Sequence, residues 1–229
     1  MLKLVNKIKS WLISLYSNHR EFWDKQRLSF LLEAFGFFAF ALLVQHFADV
    51  YVNRLTGVAV GDIILSNIPT VDIDFLIIQG ALVLTAIVIL LLLVKPKYIP
   101  FSIKALSVFV IIRSISISLT HLGVDPHELV YDTHSFGYGL YNLFFNSRND
   151  FFFSGHTSTP FLMALIFWRE KIWRYLFFVI SAIFGISVLL AHIHYSIDVF
   201  AAPFMTYSIF KLSQWLFPKD YALLAGADK

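Results

Sequence analysis

The sequence predicts an all-α integral membrane protein, a six transmembrane helix bundle with both termini cytoplasmic and an N-terminal amphipathic interfacial helix. Three observations predict it. Of the 229 residues, 58% are hydrophobic and only 14% charged, far from the balance of a soluble chain, about 45–50% apolar and about 25% charged. Six segments reach the roughly 20 mostly apolar residues that a spanning helix needs. Lysines and arginines alternate between rich and poor connections. Aromatic residues at 17% fit a disordered chain poorly. The net charge of only +3 suits topology-setting better than grip on a polyanion, so no nucleic-acid partner is expected. The lack of cysteine excludes disulfides, Cys-ligated metals and thiol nucleophiles.

Residues 1–28 form a cytoplasmic amphipathic segment. Leu4, Ile8, Trp11, Leu12 and Leu15 recur at helical spacing with Lys3 and Lys7 off that stripe, as in a helix lying on a bilayer; a partly ordered basic tail is the alternative. WLISLY is too short for the apolar core of a signal peptide. The membrane domain covers 29–216, with spans at 29–51, 75–94, 100–121, 152–168, 172–191 and 195–216, and 217–229 is a short cytoplasmic tail. FLIIQGALVLTAIVILLLLV, the second span, carries no charge. Lys95-Pro96-Lys97 and Pro100 mark a tight turn before the third. Six basic residues precede the first span; Arg54 stands alone, then come Lys95 and Lys97, then Arg148 alone, then Arg169, Lys171 and Arg174. The positive-inside rule therefore puts the 52–74, 122–151 and 192–194 connections outside. No repeat or second domain is visible.

Ionisable groups inside a membrane need a partner, an interfacial position or a function. Lys104 and Lys211 are expected to snorkel near cytoplasmic ends, and Glu33 to find a structural partner or stay protonated. Arg113, about two turns from the outer end of span three, needs an anion. Span four opens FFFSGHTSTP, which places Ser154, Gly155, His156 and Thr157 at an outward helix N-terminus, where N–H groups and the helix dipole favour phosphate. Span six opens HIHYSIDVF; His194 and Asp198 are four apart, on one helical face, so the carboxylate can hold one imidazole nitrogen. Two histidines, an aspartate and an arginine at one depth suit phosphoryl transfer through a phosphohistidine. His194, oriented by Asp198, attacks phosphorus and His156 serves as acid and base. Arg113 and the amides around Ser154 and Gly155 hold the equatorial oxygens. His121, His127 and His134 are spaced by six and seven residues, which fits no usual zinc motif, so no metal is expected.

DFFFSGHTSTPFL and LLAHIHYSIDVFAA closely resemble the two signature segments of the sphingomyelin synthase branch of the type-2 phosphatidic acid phosphatase (PAP2, lipid phosphate phosphatase) superfamily. IIRSISISLTHLG is similar to that branch's arginine-bearing third helix, and the resemblance runs from about 106 to 216. It implies a six-helix membrane fold, no cofactor, a metal-independent phosphohistidine mechanism and an active site on the extracytoplasmic face, periplasmic or luminal. Carried over by motif, His194 is the nucleophile, Asp198 its orienter and His156 the acid/base. Asp150 aligns with an acidic position before the SGHT segment, where it would orient His156 or meet a cationic head group; Tyr195 would cap the site. Two departures from ordinary phosphatases point to the synthase-like branch: Ser187 is followed by Val188 rather than Arg, and no Lys-x6-Arg-Pro motif occurs. Ile193 stands where synthases carry an acidic residue, which leaves head group and acceptor open.

The expected function is transfer of a phosphocholine- or phosphoethanolamine-type head group from a glycerophospholipid donor to a lipid alcohol acceptor, ceramide or diacylglycerol, or to water. A PAP2-type phosphatase or phospholipase C-like hydrolase is the near alternative. A non-catalytic lipid-binding or transport protein is the alternative from another class. The sequence assigns no oligomeric state.

Overall fold

A computed structural model describes residues 2–226 apart from 24, 56 and 146–151. The described residues form nine α-helices: α1 Leu2–Phe22, α2 Lys25–Val52, α3 Asp74–Val94, α4 Ile99–Leu119, α5 Tyr138–Phe145, α6 Gly155–Ile166, α7 Lys171–Leu190, α8 Ser196–Leu216 and α9 Pro218–Ala225. They contain no strand, only an isolated bridge between Val58 and Leu122. α1 covers the segment expected to be an interfacial helix. Of its apolar stripe, Leu12 and Leu15 are described and Leu4, Ile8 and Trp11 have side chains outside the described residues. His19 closes α1 onto the bundle, its Nε2 donating to the Leu93 carbonyl (2.6 Å) and its Nδ1 accepting from Trp23 Nε1 (3.2 Å).

Among the described residues, four helices are long and apolar enough to cross a membrane: Arg27–Val52, Asp74–Val94, Pro96–Leu119 and Lys171–Leu190. The other two expected spans differ for separate reasons. α6 has 12 residues, about 18 Å at 1.5 Å per residue against an apolar slab of about 30 Å. It starts late because Ser154 caps it, Oγ accepting the Thr157 N–H at 3.3 Å, so Phe152 and Phe153 raise the hydropathy without adding helix. Phe153 is instead fully buried, with its ring edge against Phe109 at 5.7 Å. α8 has the length, 21 residues, but Asp198, Lys211 and its hydroxyl and amide side chains dilute its apolar character.

α2 packs along α4, and α6 lies against both α7 and α8. Lipid gives apolar helices no hydrophobic reason to associate, so close approach at small residues and interhelical hydrogen bonds hold such bundles. Gly185 of α7 is that kind of contact: a Cβ there would lie 3.1 Å from Val199 Cγ1 of α8 and 3.5 Å from Thr157 Oγ1 of α6. Four residues back, Ser181 Oγ donates to the Thr157 carbonyl at 2.7 Å.

One end of the bundle is closed by charge. Lys104 does not snorkel. It is 3% exposed, and its Nζ lies 3.1 Å from Glu33 Oε2 and 2.9 Å from Asp220 Oδ2. Glu33 thus has the structural partner expected for it, and the tail carries a helix, α9, docked through Asp220. Lys95 pairs with Glu170 at the same end, and Arg169 donates to the Ala225 carbonyl. The ends of α4, α6, α7 and α8 on the opposite side carry His121, His156, His192 and His194.

Candidate active site

The start of α8 builds one half of the site. Tyr195 is the N-cap residue and Asp198 is at N3, so Asp198 Oδ2 accepts the Tyr195 N–H at 3.0 Å, the backward bond of a capping box. The same oxygen lies 3.4 Å from His194 Nδ1. One carboxylate therefore starts the helix and sets the imidazole. Asp198 is fully buried and His194 nearly so. Asp198 Oδ1 is buried with no hydrogen-bond partner among the described residues, while the Asp198 carbonyl accepts the Ser154 N–H at 3.2 Å and ties the α6 cap to α8.

The start of α6 builds the other half. His156 is its second residue, and its ring centroid is 6.4 Å from that of His194. Its Nε2 lies 3.0 Å from the hydroxyl of Tyr141, on α5, and the edge of Phe184 packs on the ring at 6.0 Å. Arg113 reaches this helix start from α4, its Nε donating to the Phe153 carbonyl at 3.0 Å. Gly155 makes that approach possible: a Cβ would meet Arg113 Cζ, Nε and Nη2 at 3.2–3.3 Å. The first turn of α6 carries N–H groups that lack intrahelical acceptors. A guanidinium lying against them makes an anion-binding corner.

The expected residues divide accordingly. His156, His194, Asp198, Arg113 and Gly155 converge. Ser154 and Thr157 are buried and mutually engaged, Thr157 Oγ1 donating to Ser154 Oγ at 3.1 Å, and so form the helix start itself. Tyr195 turns away from the histidines. It is 1% exposed, its hydroxyl donates to the Gly123 carbonyl (2.8 Å) and accepts the Val60 N–H (3.3 Å), and it thereby pins two connecting loops over α8. Asp150 lies outside the described residues.

Two contributors escaped the sequence reading. Tyr141 sits in a loop helix with no motif around it, and only the placement of α5 against α3 brings it to His156. Asp62 holds the N-terminus of α8 through Oδ2 and Ser196 N–H at 2.7 Å, while Oδ1 accepts from Ile64 (2.8 Å) and Leu65 (3.1 Å). Partial burial alone would raise its pKa. The N–H groups of Ser196, Leu65 and Ile64 outweigh that and hold the carboxyl below its ordinary value. The signal for Asp62 was local, an aspartate after Gly61 in an Asx-type turn.

Beside the site, Thr157, Phe161, Phe178, Gly185, Val199 and Pro203 bound an apolar groove of about 320 Å³ between α6, α7 and α8. Residues 149–215 match the model of the PAP2 superfamily C-terminal domain. No curated protein and no solved structure matches the chain. The matched stretch contains α6, α7, nearly all of α8 and both histidine segments, so this part of the chain is similar to the PAP2 superfamily C-terminal domain.

Proposed function

We propose that the chain is a membrane lipid phosphotransferase of the sphingomyelin synthase-like type, moving a phosphocholine- or phosphoethanolamine-type head group from a glycerophospholipid to a lipid alcohol such as ceramide or diacylglycerol, with water as a competing acceptor. The observation that carries this reading is the meeting of two imidazoles, one held by a buried carboxylate, at a helix N-terminus against which a guanidinium lies. His194 has Nδ1 turned to Asp198, so Nε2 attacks phosphorus. The N–P bond forms as the bond from phosphorus to the glyceride oxygen breaks, and His156 gives that oxygen its proton. In the second step the acceptor hydroxyl attacks phosphorus and gives its proton to His156, and the N–P bond breaks to restore His194. Arg113 and the first turn of α6 meet the charge on the equatorial oxygens. The neighbouring apolar groove suits an acyl chain and favours a lipid acceptor over water.

The test uses purified protein, labelled short-chain ceramide and diacylglycerol, and phosphatidylcholine or phosphatidylethanolamine, with every phosphorus-containing product identified by mass spectrometry. A phosphorylated lipid alcohol bearing the donor head group is expected, together with an acid-labile phosphoramidate on His194 that His194→Ala removes. Free phosphocholine or phosphate as the main product would make the protein a hydrolase. Tight lipid binding with no product would make it a binding or transport protein. Label on His156 instead would exchange the two histidines' roles. Because Arg113 and the helix terminus meet the phosphate charge, turnover is expected to persist in EDTA.

A further inference from the structure

We propose that Asp125, His127 and His192 form a divalent transition-metal site, of the Zn2+ class, that clasps the 122–130 loop to the junction of α7 and α8. His127 was the middle of the histidine set set aside on spacing, but the fold separates it from the other two. His121 turns to the Ser118 carbonyl (3.1 Å) and the ring of Tyr51 (5.9 Å). His127 meets a residue 65 positions away instead, because one backbone and one side-chain hydrogen bond hold its loop there: Leu129 N–H to the Ala191 carbonyl (2.9 Å) and the Thr70 hydroxyl to the His127 carbonyl (2.9 Å).

The ligand atoms are already close. Asp125 Oδ1 lies 3.3 Å from His192 Nδ1 and 3.5 Å from His127 Nδ1; one atom from each of the three residues lies within 4.8 Å of the others. Bonds of about 2.0–2.2 Å to a tetrahedral zinc separate ligands by about 3.3–3.6 Å, so two edges are in place and the third needs only rotation of the exposed His127 ring. Two imidazoles and one carboxylate are the donor set of zinc rather than of magnesium or calcium, which prefer oxygen. Asp125 is oriented for the task, since the same Oδ1 accepts the His127 N–H at 2.8 Å. Asp62 lines the same wall, but both its oxygens are committed to backbone N–H groups. The three residues edge a cavity of about 420 Å³, which leaves a coordination position for water.

His192 is 3% exposed and holds Nδ1 towards Asp125 Oδ1 at 3.3 Å, so the ring offers that nitrogen from a buried, fixed position. Its backbone lies at φ 55°. Ile193 N–H reaches the Val188 carbonyl and His192 N–H the Leu189 carbonyl, the Schellman closure of α7, in which this position usually belongs to glycine. Local stability thus argues for glycine at 192, and a cation on the imidazole accounts for histidine. A cation between His192 and Asp125 takes the place of the ring proton.

The experiment uses full-length, tag-free protein in detergent, stripped with EDTA and titrated with ZnCl2, with stoichiometry from elemental analysis and affinity from competition with a chromogenic chelator. One equivalent is expected to bind and to raise the melting temperature as zinc increases. His127→Ala and His192→Gly are each expected to weaken zinc at least tenfold with unchanged helical circular dichroism. The first side chain is exposed, and glycine at the second keeps the helix cap, so neither variant is expected to unfold. His121→Ala and His134→Ala, in the same outer loop, are expected to bind zinc like the parent. Absence of a saturable equivalent overturns the site, as does affinity unchanged in His127→Ala and His192→Gly or lost equally in His121→Ala and His134→Ala. The phosphohistidine assay in EDTA stands or falls separately.

Discussion

A methyl group at position 155 would lie 3.2–3.3 Å from three atoms of the Arg113 guanidinium, tighter than packed side chains ordinarily tolerate. Arg113 would have to withdraw by a few tenths of an ångström from the corner where α6 begins. Gly155→Ala is therefore expected to lower kcat/KM several-fold while thermostability in detergent holds; an unchanged kcat/KM would mean that Arg113 does not act through this contact. Arg113→Lys removes more, since lysine presents one compact charge where arginine keeps Nε on the Phe153 carbonyl and aims a planar fork at phosphate. A loss of at least about tenfold in kcat/KM is expected, about 1.4 kcal/mol of transition-state stabilisation. Activity retained with altered thermostability would make Arg113 a structural residue. The pairing of His194 with Asp198 was legible because four residues on a helix is a fixed geometry. The pairing of His156 with Tyr141 was not, because it depends on where a loop helix comes to rest. Tyr195 was misleading for a related reason: a tyrosine at a helix start points wherever its loops allow, and here two backbone groups capture it.

Among the elements, the α8 N-terminus and α9 are held by buried or half-buried charge and respond differently to pH and substitution. Asp62 has a carboxyl held below its ordinary value of about 3.8 by backbone N–H groups. A depressed carboxylate contributes stability that is fully present above that value and is lost as pH falls through its folded pKa. The 57–67 loop is therefore expected to lose hydrogen-exchange protection below about pH 3.8, and Asp62→Asn to lose it already at neutral pH; protection that ignores both changes would show that the loop is held elsewhere. Lys104 presents the opposite case, a buried ammonium between Asp220, which is as buried as itself, and Glu33, which is mostly exposed. Lys104→Met leaves Asp220 buried without its cation, a change that typically costs about 3–5 kcal/mol, whereas Glu33→Gln removes only the exposed partner. A sharp fall in detergent melting temperature is expected for the first and little change for the second; equal effects would place the stabilisation in the Glu33 pair. Hydropathy located α2, α3, α4 and α7 well because uninterrupted apolar runs leave little choice. It overestimated α6 because it scores Phe152 and Phe153 as helix, although the Ser154 cap in the same sequence marks where the helix starts.

For the molecule as a whole, the short α6 raises the question of whether the chain still crosses at that point. Ser154 begins α6 beside His194 and Asp198, and Glu170, the residue before α7, pairs with Lys95 at the turn between α3 and α4. The chain thus passes from the histidine end to the ion-paired end between 154 and 170, and α7 and α8 pass back and forth once more. With α2, α3 and α4 this makes six passes between the two ends of the bundle, four of them by helices long and apolar enough to cross a membrane and one by a helix of about 18 Å. Such a helix ends flush with the ion-paired face only if its start is recessed below the other, which would put His156 inside the apolar slab with access limited to lipid and the outer loops. Lys95, Lys97, Arg169, Lys171, Arg174 and Lys219 cluster at the ion-paired end, so the positive-inside rule predicts that this end faces the cytoplasm. The cysteine-free chain allows a direct check with single cysteines at exposed positions 134 and 219 and an impermeant maleimide. Cysteine 134 is expected to react in intact cells and cysteine 219 only after permeabilisation, while a cysteine at 156 reacts slowly from either side. Reaction of cysteine 219 from outside would invert the topology, and rapid reaction at 156 in intact cells would remove the recessed site and leave the histidines open to water.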